Sequence, residues 1–128
     1  MPYTFPKKEK LKSKKLIEKL FEEGKYISNF PLKLLYLKTV LPEDVKIQAG
    51  VAVPKKNFKS AVRRNRIKRL LREAYRLNKE IVFNNSDTNF AFLFLYLGKE
   101  MPKYSDLDQR IKFILQTFLD TIDNEKNA

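Results

Sequence analysis

The 128-residue sequence predicts an α+β fold, a single-domain α-β-β-β-α-β-α sandwich with a small central sheet packed by helices. Three observations carry that expectation. Three stretches repeat apolar residues at helical spacing, and four others have strand composition bounded by turn or breaker residues. One of those strands, Asn89 to Leu97, is apolar at nearly every position and therefore needs cover on both faces.

After a polar leader, Ser13 caps a predicted helix whose Leu16, Ile17, Leu20 and Phe21 form one stripe, with Gly24 as its stop. Tyr26 to Ser28 and Leu32 to Thr39 read as strands interrupted at Asn29 to Pro31, because proline has no amide hydrogen for a sheet ladder. Leu41 to Asp44 has turn composition, and Lys46 to Val53 follows as a strand before Pro54 breaks the pattern. Together these strands predict a small antiparallel sheet.

Ser60 caps a second helix running to about Leu77, with Ile67, Leu70, Leu71 and Ala74 facing the core and Tyr75 at the edge of that stripe. Asn84 to Asp87 supplies a loop, and Asn89 to Leu97 then occupies the sheet interior. The last helix begins near Ser105, with Asp108 three residues on in a capping-box variant. Its buried stripe is Leu107, Ile111, Ile114, Leu115, Phe118, Leu119 and Ile122. No repeat or linker divides the chain, so residues 1–128 are expected to form one domain with flexible ends at 1–12 and 123–128.

Composition narrows the chemistry. Without cysteine there is neither a disulfide framework nor a thiolate zinc site, and without histidine the commonest general base and metal ligand are missing. Carboxylate pairs such as Glu22/Glu23 and Asp106/Asp108 read as solvated or helix-start groups, so no catalytic and no metal-ligating residue is assigned. The N-terminus lacks the apolar core of a secretory signal, and the apolar run Thr88 to Gly98 is too short to span a bilayer as a helix. A cytoplasmic protein without membrane association is expected.

The net charge of +12 is concentrated: Lys55 to Arg76 holds ten Lys or Arg residues against one acid, Glu73, and so supplies nine of the excess charges. Helical projection places Asn65, Lys68, Arg69, Arg72 and Arg76 opposite the apolar stripe, as one face. Six of the ten cations are arginine, whose planar fork suits phosphate, and one carboxylate cannot neutralise the face. Nucleic acid is the partner this pattern favours. An anionic membrane, a calmodulin-like groove or a nuclear address are weaker fits, and membrane insertion would take Ile67, Leu70 and Leu71 out of the core. Among the aromatics, Phe90, Phe92, Phe94, Tyr96, Phe113 and Phe118 read as core, whereas Phe21 and Tyr36 are candidates to stack on unpaired bases at a groove edge.

Lys55-Lys56, Ala61-Val62 and Arg64-Asn65-Arg66-Ile67-Lys68-Arg69, continuing through Arg72-Glu73, closely resemble the motif of the protein subunits of bacterial ribonuclease P. The order of elements extends the resemblance over nearly the whole chain. It implies an accessory subunit of a ribonucleoprotein endonuclease that removes the 5′ leader from precursor tRNA, the RNA subunit performing the hydrolysis. Magnesium would act mainly through that RNA, with no organic cofactor. The implied partners are the catalytic RNA and precursor tRNA with its leader, with no obligatory protein partner.

Residue by residue, Arg64, Asn65, Arg66, Lys68, Arg69 and Arg72 resemble the family's RNA-binding motif, with Lys55 and Lys56 at its approach. Phe21 resembles an aromatic of the leader-binding cleft. Ile17 stands one turn earlier, where relatives can carry another aromatic, and Tyr36 stands beside the usual strand position. Between the Lys pair and Ala61-Val62, where the family often has glycine, this chain has Asn57-Phe58-Lys59-Ser60. The alternatives are a noncatalytic RNA-binding or ribosome-associated protein, a helix-based DNA binder and a protein-only nuclease.

Overall fold

The computed structural model describes residues 4–41, 45–83 and 88–126. The loop expected at 84–87, and residues 42–44 of the expected turn, lie outside them. Ser13 opens α1 (Lys14–Glu23), its Oγ accepting the Leu16 amide at 3.2 Å. Gly24 ends the helix for a steric reason: its backbone is extended, and a Cβ there would strike the Leu20 carbonyl oxygen.

From Gly24 the chain enters β1 (Lys25–Asn29) and turns through a cis Phe30–Pro31 peptide into the antiparallel β2 (Leu32–Lys38). Then follow β3 (Ile47–Ala52), α2 (Ala61–Asn78), a single-turn α3 (Glu80–Phe83), β4 (Phe90–Tyr96) and α4 (Tyr104–Lys126). The sheet order is β1-β2-β4-β3. β4 pairs antiparallel with β2 and parallel with β3, so the sheet is mixed and not antiparallel as expected. A parallel pair needs a long crossover, and α2 supplies it. α3 has no counterpart in the expected order.

Insertion of β4 between β2 and β3 explains its composition, for all seven of its residues are buried. Phe90, Phe92, Phe94 and Tyr96 belong to the core shared with α2 and α4, while Ala91, Leu93 and Leu95 belong to the smaller core under α1. In the larger core the Phe118 ring meets those of Tyr36, Phe90 and Phe92 edge-on, at centroid distances of 5.1, 4.9 and 4.9 Å. The α4 stripe expected from the sequence is buried at every position. Phe113 is not part of it and stands 56% exposed, because its place on the helix lies off that stripe.

One further expectation is corrected. Asp108 does not form a capping box, since α4 already begins at Tyr104; its carboxylate instead accepts from Asn78 Nδ2 at 2.7 Å and Lys112 Nζ at 2.9 Å, joining α2 to α4. Described residues of both terminal segments contact the rest of the fold. Residues 7–9 form a 3₁₀ turn, Leu11 is buried and donates its amide to Ala49 O at 3.0 Å, and Phe5 packs on Tyr75. Lys79 holds this arm, bonding Glu9 Oε1 at 2.7 Å and the Thr4 carbonyl. At the other end α4 runs on to Lys126.

Candidate nucleic-acid interface

The Ser60 hydroxyl accepts the Arg63 amide at 3.3 Å and starts α2 at Ala61. Ile67, Leu71, Ala74 and Tyr75 are buried, which leaves Asn65, Arg66, Arg69 and Arg72 exposed on the other side, while Arg63, one turn before Ile67, is exposed at the start of the helix. Leu70 and Tyr75 exchange the places expected for them: Tyr75 lies in the core against Phe94 and Phe5, and Leu70 is half-buried at its margin, as is Lys68. Asn65, Arg66 and Arg69 border a shallow surface concavity with Val62 and Leu70.

The cations of this region fall into two groups. Arg63, Arg66, Arg69 and Arg72 have no carboxylate within ion-pair distance among the described residues, and Lys55 and Lys56 are exposed in the turn that precedes the helix. Arg64 and Arg76 are engaged. The Arg64 guanidinium turns back to donate to the Phe58 and Lys59 carbonyls at 2.6 and 3.0 Å, so it braces the loop before α2. Arg76 grips Glu73, with Nη2 and Oε1 2.5 Å apart, and that hydrogen bond holds the Glu73 carboxyl below its ordinary value.

The glycine-free loop is itself well tied. Asn57 donates its amide to Pro54 O and its Nδ2 to Leu97 O, both at 3.2 Å, while Phe58 is buried against Tyr96. These contacts fix the approach of the chain to Ser60.

Ile17 and Arg72, 55 positions apart in the chain, meet at a recess of about 210 Å³ floored by Gly50, Val51 and Leu93. Gly50 keeps that floor low, since a Cβ there would come within 3.3 Å of Leu11. Phe21, one turn after Ile17, is 59% exposed. Tyr36, the third residue proposed for a leader cleft, is only 5% exposed and lies in the α4-side core. Burial, followed by the Glu125 charge, raises its hydroxyl above the ordinary value.

Strand alternation gives the reason: Leu32, Leu34 and Tyr36 share one face of β2, and Lys33, Leu35 and Leu37 the other. The aromatic on the α1 side is Tyr26 of β1, the cross-strand partner of Leu35. It was not among the residues expected at the site. The two strands' alternation was the available signal, but using it required their register. Among the described residues, no group of three or more His, Cys, Asp or Glu is placed to hold a metal ion. No described helix is long and apolar enough to cross a membrane.

The Ribonuclease P family pattern matches residues 5–118. The chain is 40% identical over 124 residues to the ribonuclease P protein component of Chlorobium phaeobacteroides, covering 85% of this chain and 84% of that one. It is 34% identical over 116 residues to the component of Porphyromonas gingivalis, covering 87% and 85% respectively. In fold it is similar to the RNase P protein of Staphylococcus aureus, with a TM-score of 0.68 at 17% identity over 85% of this chain and 94% of that one. The RNase P protein of Thermotoga maritima superposes with a TM-score of 0.55 at 24% identity, over 91% and 93%.

Proposed function

The chain belongs to the ribonuclease P protein family, a subunit family of tRNA processing, and we propose that it binds the ribonuclease P RNA through α2 and the precursor tRNA leader through the recess beside α1. The observation that carries this reading is the outward face of α2. Arg66, Arg69 and Arg72, exposed there without described carboxylate partners, repel one another, and phosphates would relieve that repulsion. Lys55, Lys56, Asn65 and Lys68 extend the same contact, while Arg64 and Arg76 contribute mainly by fixing the loop and the helix surface.

In this reading the RNA subunit is the catalyst and magnesium acts through it. No step is assigned to a protein-bound metal. The protein's cations reduce the repulsion between catalytic RNA and substrate, and so substitute for part of the magnesium that screens their approach. The recess between Ile17 and Arg72 admits an unpaired strand, with Phe21 beyond it as a stacking surface. A leader bound there adds affinity that mature tRNA cannot recover, so substrate is favoured over product.

Reconstitution with the cognate catalytic RNA tests the reading. Addition of the protein should lower the magnesium concentration needed to cleave leader-bearing tRNA, and should favour leader-bearing over leaderless tRNA in binding. If cleavage is unchanged across the magnesium titration, the reading is wrong. Cleavage without any RNA subunit would assign the catalysis to the protein instead.

A further inference from the structure

We propose that Tyr26, with Lys33 over its ring, is a distal stacking position for a leader nucleotide at the sheet edge opposite α2; this rests on the leader reading above. Tyr26 and Leu35 are directly paired, so they share the α1 side of the sheet. Leu35 is covered there, but Tyr26 is 62% exposed on the edge strand. Its ring carries a cation, since Lys33 Nζ lies 4.2 Å from the centroid.

The position is continuous with the recess. Ile17 and Phe21 are four residues apart and therefore lie on one side of α1. At the Ile17 end, α1 stands beside β3 and Arg72; at its other end Gly24 joins it directly to β1. A strand of RNA that follows α1 from Arg72 past Phe21 reaches Tyr26 after crossing the sheet, roughly 14 Å for four strands at their usual spacing. There an exposed aromatic face meets a base, and the neighbouring ammonium meets its phosphate. That combination recognises unpaired nucleic acid with little dependence on sequence.

The test uses holoenzyme reconstituted with the catalytic RNA and measures binding of three tRNAs: leaderless, with a single-nucleotide leader, and with a leader long enough to cross the sheet. Tyr26→Ala should weaken the long-leader complex by about fivefold or more and leave the other two unchanged. Tyr26→Phe should keep wild-type affinity, because the ring and not the hydroxyl stacks. Lys33→Gln should weaken the long-leader complex alone and reduce its salt dependence.

Long-leader affinity that survives Tyr26→Ala but falls with Phe21→Ala would overturn the distal position and leave the leader reading intact. Equal loss on all three tRNAs would overturn it in favour of a general effect on RNA affinity or packing. A wild-type holoenzyme indifferent to leader length would overturn the leader reading and this proposal with it.

Discussion

Replacing Arg69 and Arg72 together by alanine removes two exposed cations for which no carboxylate partner is described. If each neutralises one phosphate of the catalytic RNA, the double variant's log–log salt slope is shallower than wild type by about 1.4 to 1.8, at roughly 0.7 to 0.9 per contact. The affinity gap between the two proteins should therefore close by about tenfold when monovalent salt is raised about fourfold from low salt. Stability should change by no more than about 0.5 kcal/mol, since neither side chain is buried. Filter binding across a salt series and thermal unfolding by circular dichroism measure the two quantities. Parallel slopes would refute the phosphate assignment, and a large drop in melting temperature would show that the residues support the fold. Arg64→Ala provides the contrast, because it removes donors from the Phe58 and Lys59 carbonyls and should cost about 1 kcal/mol of stability.

Three other predictions concern the frame around the interface. Lys79→Ala leaves the largely buried Glu9 without its partner and should destabilise the protein by about 3 kcal/mol, with Lys79→Met/Glu9→Gln recovering much of the loss; equal stability of the single variant and wild type in urea melts would refute this. Tyr36→Ala should cost about 3 kcal/mol by opening a cavity beside Phe118, seen in urea melts, and at temperatures where it remains folded the preference for leader-bearing tRNA should persist. For Asp108, burial opposes the charge, but hydrogen bonds from Lys112 and Asn78 outweigh it and lower the carboxyl pKa below its ordinary 3.8. The native state then binds fewer protons than the unfolded state, so this stabilisation is complete above that ordinary value and fades as pH falls through the lower folded value. Asp108→Asn should flatten the acid limb of stability against pH, and an unchanged limb would refute the assignment.

The sequence alone determined those features that depend on residues close together in the chain. The Ser13 and Ser60 caps, the buried stripe of α4, the Ile67, Leu71 and Ala74 positions of the α2 stripe, and the charge opposite it follow from side chains three or four positions apart. The interior place of β4 was also legible, since seven consecutive apolar residues require cover on two faces. The family motif was legible because it too is local, running from Lys55 to Glu73.

Tertiary structure decided what depends on partners far along the chain. Whether β3 runs parallel to β4, and which of Tyr26 and Tyr36 faces α1, were settled by pairing across more than one strand. Arg64 and Arg76 look like their neighbours in sequence, yet the positions of two carbonyls and a carboxylate divert them from the free cationic face. The recess exists only because the fold brings Ile17 of α1 to Arg72 of α2 over Gly50 of β3. Periodicity can assign a side chain to one face of an element, but what occupies that face is set by long-range packing.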